Sequence, residues 1–183
     1  TWTNISSGIP NIAFTRVVRE DEKQKDLLFA GTELGMYISR NGGQSWKPFQ
    51  LNLPVVPITD LIVKHDDLII ATSGRSFWAL DDLNIVRQFN SAAKDFKLYE
   101  PDATILASGG SPLNRTNKKF KGTNPFFGVN PSNGVVLYYN LPTEDKKETL
   151  ELTIKNAAGN LVRTFSSKKD KSFKRKKDQQ AAY

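Results

Sequence analysis

The chain has 183 residues, no cysteine and a formal net charge of +7. The missing thiols exclude disulfides and thiolate metal sites, and no run reaches the ~18 uninterrupted apolar residues of a membrane-spanning helix. Of the seven net charges, five belong to residues 166–183, where Lys168, Lys169, Lys171, Lys174, Arg175, Lys176 and Lys177 face only Asp170 and Asp178. The body is therefore nearly balanced, and the end reads as a basic, disordered tail. No specific nucleic-acid partner and no membrane partner is expected.

The chain starts at Thr1-Trp2 with neither a charged nor an apolar leader, so a removed targeting segment or a longer parent chain is expected. From there, short runs rich in β-branched and aromatic residues alternate with Gly, Asn, Asp and Pro, the pattern of an all-β chain. The runs fall at 14–18, 26–41 and 46–50, then again at 58–63, 67–82 and 84–89. At a constant offset of 41, Asp26 matches Asp67, Leu27 matches Leu68, Ala30 matches Ala71, Met36 matches Phe77 and Tyr37 matches Trp78. Each unit then holds four strands in about 40 residues, the period of a propeller blade. Two blades cannot close a ring, and each has two faces for neighbours to cover. Residues 1–95 are thus expected to be the C-terminal blades of a β-propeller, with the remaining blades of the parent chain as partners.

Residues 96–130 read as a linker: a short edge strand at 96–101, then a stretch at 108–125 rich in Gly, Ser, Asn, Lys and Pro. Strand signals return at 134–142 and 148–165. Leu150, Leu152 and Ile154 alternate with polar neighbours, and Asn156 to Asn160 supply a turn into Leu161–Phe165, which predicts a hairpin. Three strands in residues 131–165 are expected to open an incomplete immunoglobulin- or fibronectin-like β-sandwich.

One turn carries a motif. Across 39–46, Ser39 and Asn41 can bond their own backbone, Gly42 and Gly43 can take positive φ, and Trp46 can anchor the turn in the core. The stretch resembles the Asp-box of the bacterial neuraminidase repeat, S/T-x-D-x-G-x-T/S-W. Ser39, Gly43, Ser45 and Trp46 match, and Asn41 stands at the aspartate position, keeping the acceptor oxygen without the charge. Residues 67–82 are similar to the final blade of bacterial propellers related to sortilin, often labelled glycosyl hydrolases. That resemblance implies a propeller, a linker and a sandwich, in a periplasmic, cell-surface or extracellular protein that binds a carbohydrate or protein at its propeller loops.

Fold alone does not give activity. Glycoside hydrolysis needs two carboxyl groups roughly 5–10 Å apart; Glu33, Asp60, Asp81 and Asp82 are the candidates, with Arg75 the one arginine expected near a loop. The bland reading pairs Arg75 with Asp81 or Asp82, and treats Glu33 the same way. His65, beside Asp66 and Asp67, reads as a solvated turn, so no metal site and no cofactor is expected. Phe126-Phe127 reads as a packing contact. The expected role is a structural, ligand- or protein-binding scaffold; the alternative is part of a sialidase- or xyloglucanase-like hydrolase whose catalytic groups lie elsewhere. Any weak binding to heparin or DNA is expected to vanish when residues 166–183 are removed, with a steep salt dependence beforehand in a retention assay.

Overall fold

Antiparallel pairing of short strands runs through the described residues, as the alternating runs predict. The computed structural model describes residues 1–89, 95–104, 134–141 and 149–168, in two units, Thr1–Asn140 and Leu141–Tyr183. Most of the expected linker, Phe126-Phe127, and the tail from 169 onward lie outside the described residues. The fold is all-β, in several small antiparallel sheets.

In the first unit, β1 (Thr15–Glu20), β2 (Leu28–Thr32), β3 (Gly35–Ser39) and β4 (Lys47–Pro48) form a four-stranded sheet in chain order. A second sheet follows, from β5 (Ile58–Lys64), β6 (Asp67–Thr72) and β7 (Phe77–Leu80). The two are copies of one pattern. Thr32 Oγ1 donates to the Gly35 carbonyl at 2.9 Å, and Thr72 Oγ1 donates to the Ser76 carbonyl at 2.7 Å. Both first strands also carry a bulge, after Thr15 and after Ile58.

These landmarks correct the constant offset. Met36 pairs with Gly31 and Phe77 with Ala71, so the third strands keep the expected 41. Thr32 corresponds to Thr72, however, which makes Ala30 the equivalent of Ile70 and not of Ala71. The first strands are shifted again, since the bulges equate Thr15 with Ile58. Pairing partners and turn length set the register, and the turn between β6 and β7 is one residue longer than its counterpart.

The corrected register sorts the faces. Val17, Phe29, Met36 and Ile38 of the first sheet pack against Leu61, Val63, Leu68 and Ile70 of the second, with Trp78 and Leu80 at the margin. Burying each such side chain contributes about 1.5–3 kcal/mol. The opposite face of the first sheet, with Ala30 and Tyr37, is covered by Ala13, Ile9 and Trp46. The sheets pack tightly at Gly31, where an added Cβ would lie 2.5 Å from Ile58 Cγ2 of the second sheet and 2.8 Å from Val17 Cγ1 of its own.

The fourth strand expected of the second unit, 84–89, is instead the helix α1 (Leu83–Gln88). Leu83 and Val86, three apart, turn to the same side and join the inter-sheet core. The Leu83 amide donates to the Asp66 carbonyl at 2.8 Å, which anchors the first turn. Asp82 precedes the helix in the left-handed region without a capping side-chain bond, so the usual start signal is missing.

Beyond α1, β8 (Lys97–Leu98) pairs with β9 (Tyr139–Asn140). Gln88 fixes this segment, exchanging two 2.9 Å bonds with the Glu100 backbone. Part of the 134–142 run, expected to open the sandwich, therefore pairs within the first unit. The second unit holds a hairpin of β10 (Glu151–Lys155) and β11 (Leu161–Ser166), with Leu152 opposite Phe165. Its turn closes as expected, with the Gly159 amide on the Asn156 carbonyl at 2.9 Å.

Gly31→Ala is expected to lower stability by about 2 kcal/mol, since two packed side chains must give way. The equivalent change in the second sheet, Ala71→Gly, removes no inter-sheet contact and should cost under about 1 kcal/mol. Urea melts of both variants measure the contrast.

Candidate functional site

The turn at 39–46 is a closed hydrogen-bond circuit. Buried Ser39 donates through Oγ to Asn41 Oδ1 at 2.9 Å and accepts from the Gly43 amide at 2.9 Å. Asn41 Oδ1 also accepts from the Ser45 amide at 3.0 Å, while its Nδ2 donates to Ser45 Oγ at 2.9 Å. One amide side chain thus holds both ends of the turn. An aspartate could do the same if Ser45 Oγ became the donor, which explains how Asn41 fits a position where acid is usual in the resembling motif.

Trp46 leaves the circuit and ties down the N-terminal segment. Its Nε1 donates to the Ile5 carbonyl at 2.6 Å, and its amide donates to the Ser7 carbonyl at 2.8 Å. Gly8, at φ +98°, follows; a Cβ there would lie 2.2 Å from the Trp46 carbonyl oxygen. All five motif residues are thereby engaged in holding backbone, and Trp46 is buried.

A second cluster gathers at the turns between the first two strands of each sheet. The Asp21 side chain is fully buried and Arg87 of α1 is 11% exposed. Arg87 grips Asp21 with both arms of its guanidinium, Nε to Oδ1 at 2.9 Å and Nη2 to Oδ2 at 2.8 Å, and reaches Asp66 with Nη1. Lys23 bonds both Asp66 oxygens, at 2.8 and 2.7 Å. Burial alone would raise the Asp21 carboxyl, but Arg87 together with the amides of Lys23 and Gln24 holds it below its ordinary value. Asp66 is held low by Lys23 and then Arg87, and Asp21 in turn raises Arg87. The chain positions spread too far apart for spacing to reveal this cluster.

The weak catalytic candidates occupy other places. Glu33, in the turn from β2 to β3, accepts from Arg16 Nε at 2.7 Å and pairs with its Nη2. Asp60, on β5, accepts from Arg19 Nη2 at 3.1 Å across the inter-sheet boundary and from the Leu61 amide at 2.9 Å. Arg75 lies in the turn from β6 to β7; its guanidinium donates to the Gly74 carbonyl at 3.4 Å, its amide donates to Thr72 Oγ1 at 3.2 Å, and its carbonyl accepts from Trp78 Nε1 at 2.8 Å. The pairing of Arg75 with Asp81 or Asp82 is not formed. His65 sits at φ +56° in the turn joining β5 to β6. Burial, then Asp67 and Asp82, push the Asp81 carboxyl up, and Tyr138 donates to Asp82 Oδ2 at 3.0 Å. Among the described residues no group of three or more His, Cys, Asp or Glu could hold a metal ion. No family model, curated protein or solved structure matches the chain.

The carboxylates of Asp21 and Asp66 are held below their unfolded values, so the stability they add is complete above about pH 4 and is lost as pH falls through the lower folded values. Arg87→Met is expected to cost about 3 kcal/mol at neutral pH, because it leaves Asp21 buried without its partner. The same change should flatten the acid limb of a stability-against-pH curve measured by denaturant melts.

Proposed function

We propose that residues 1–95 are blades of a larger β-propeller and serve as a structural, ligand- or protein-binding scaffold of an exported protein. The observation that carries this reading is the repeated face. Val17, Phe29, Met36 and Ile38 of the first sheet are buried by the second. Their counterparts on the second sheet include Phe77 and Ile69, and Phe77 is 76% exposed. A repeat that buries one copy of a face and opens the next is the arrangement of a stack that continues. The Asp-box-like turn at 39–46 supports the same family, and the resemblance to sortilin-related propellers supplies the exported location.

Binding is assigned to the strand-end loops. The turns holding Glu33 and Arg75 join the second and third strands of each sheet, so they emerge at the same end of the repeat. Arg75 there has no carboxylate partner among the described residues and is free to meet an anionic or hydroxylated ligand. The hydrolase alternative draws less support, because Glu33 and Asp60 are each bound to an arginine.

Turnover assays decide between scaffold and hydrolase. The chain is expected to leave sialosides and β-glucans intact, and Glu33→Gln or Asp60→Asn to change stability by no more than about 1 kcal/mol, as exposed ion pairs do. Hydrolysis by the parent chain that disappears in either variant, with the fold retained on circular dichroism, would overturn the scaffold reading.

A further inference from the structure

The two sheets differ in one respect that the repeat makes visible. In the first, β3 is bordered by β4, with Tyr37 opposite Pro48 and Ile38 opposite Lys47. In the second, the counterparts of Tyr37 and Ile38 are Trp78 and Ala79 on β7, and among the described residues no strand lies outside them. The chain that would supply the missing strand has turned away as α1. Among the described residues, β7 pairs only with β6, and no other backbone hydrogen bond reaches Phe77–Leu80.

A second observation falls at the same place. An apolar groove runs beside β7, with Trp78 and Leu80 on one wall and Phe49, Leu51 and Leu53 on the other. It is shallow and open to solvent, with a cavity volume of about 40 Å³. The groove lies on the side of β7 that faces the first sheet, since Trp78 and Leu80 both border the inter-sheet core. In the first sheet the corresponding side of β4 carries Trp46 and Pro48, and Trp46 is buried there.

We propose that this edge and groove bind an extended peptide segment, which adds as a fourth strand antiparallel to β7. Its backbone would complete the ladder, and one apolar or aromatic side chain would lie over the shallow groove beside Trp78, in the place Trp46 takes beside Tyr37 in the first sheet. Backbone pairing gives such a site its affinity and the side-chain groove its selectivity. The partner chemistry follows from β4 itself: an aromatic residue, then a polar one facing away, then an apolar one, in a segment able to lie flat. The site depends on the sheet register alone, whether or not the sheets belong to a propeller.

The probe is a capped peptide of the chain's own β4 sequence, Gln-Ser-Trp-Lys-Pro-Phe-Gln, titrated into the full chain labelled with ¹⁵N. Saturable amide shifts are expected at Phe77–Leu80 and along the 49–53 wall, at peptide concentrations up to about 1 mM. A peptide with serine in place of tryptophan should bind at least about tenfold more weakly, and one N-methylated at its Trp, Lys and Phe amides should not bind. The proposal is overturned by absent shifts, by shifts that survive N-methylation, or by shifts that map elsewhere. It is also overturned if the same amides shift with protein concentration alone and the mass doubles, because the edge then serves a second copy of the chain.

Discussion

A sheet that is apolar on both faces needs two covers, and the first sheet finds them in different materials. One face meets the second sheet through Val17, Phe29, Met36 and Ile38. The other meets the N-terminal segment through Ala13 and Ile9, held in place by Trp46. Two glycines make these covers possible at close range. Gly31 admits Ile58 and Val17 into the inter-sheet contact, and Gly8 lets the segment pass against the Trp46 backbone. The hydrogen-bonded turn at 39–46 earns its place in this scheme as the mount for Trp46.

The ionic cluster serves a different end. Apolar packing between sheets tolerates sliding, because dispersion and burial depend weakly on direction. A guanidinium holding one buried carboxylate by two bonds tolerates little displacement. Arg87, Asp21 and Asp66 thus fix how the helix and the two equivalent turns meet, at the desolvation cost that a buried pair carries. Its counterpart on the inner strands, Arg19 with Asp60, is exposed and contributes little beyond charge matching.

The strands and the repeat were legible because alternation and turn residues are local signals. The hairpin around Asn156 and Gly159 is the clearest instance, and in the Ser39–Trp46 turn Asn41 Oδ1 accepts from an amide only four residues on. The relative register was not legible. A bulge shifts pairing without changing composition, so a constant offset of 41 misassigned Ala30 while placing Tyr37 and Trp78 correctly. Residues 84–89 read as a strand since Ile85, Val86 and Phe89 are apolar and β-prone. Six residues with no capping side chain give no helical signal, and only the pocket receiving Leu83 and Val86 decides the outcome. The cluster around Arg87 was invisible for a simpler reason, since Asp21 and Arg87 stand 66 positions apart.

That separation bears on the order in which the molecule assembles. The strand pairings within each sheet join residues close in the chain, so they form at small loop-closure cost. The bond from Arg87 to Asp21 closes a much longer loop and requires both sheets and the helix to be nearly in place. An interaction made after the rate-limiting step leaves the folding rate almost untouched and slows unfolding instead. On that account the guanidinium acts as a latch on the finished structure: it governs how long the two sheets stay together once joined, and has little say in how quickly they meet.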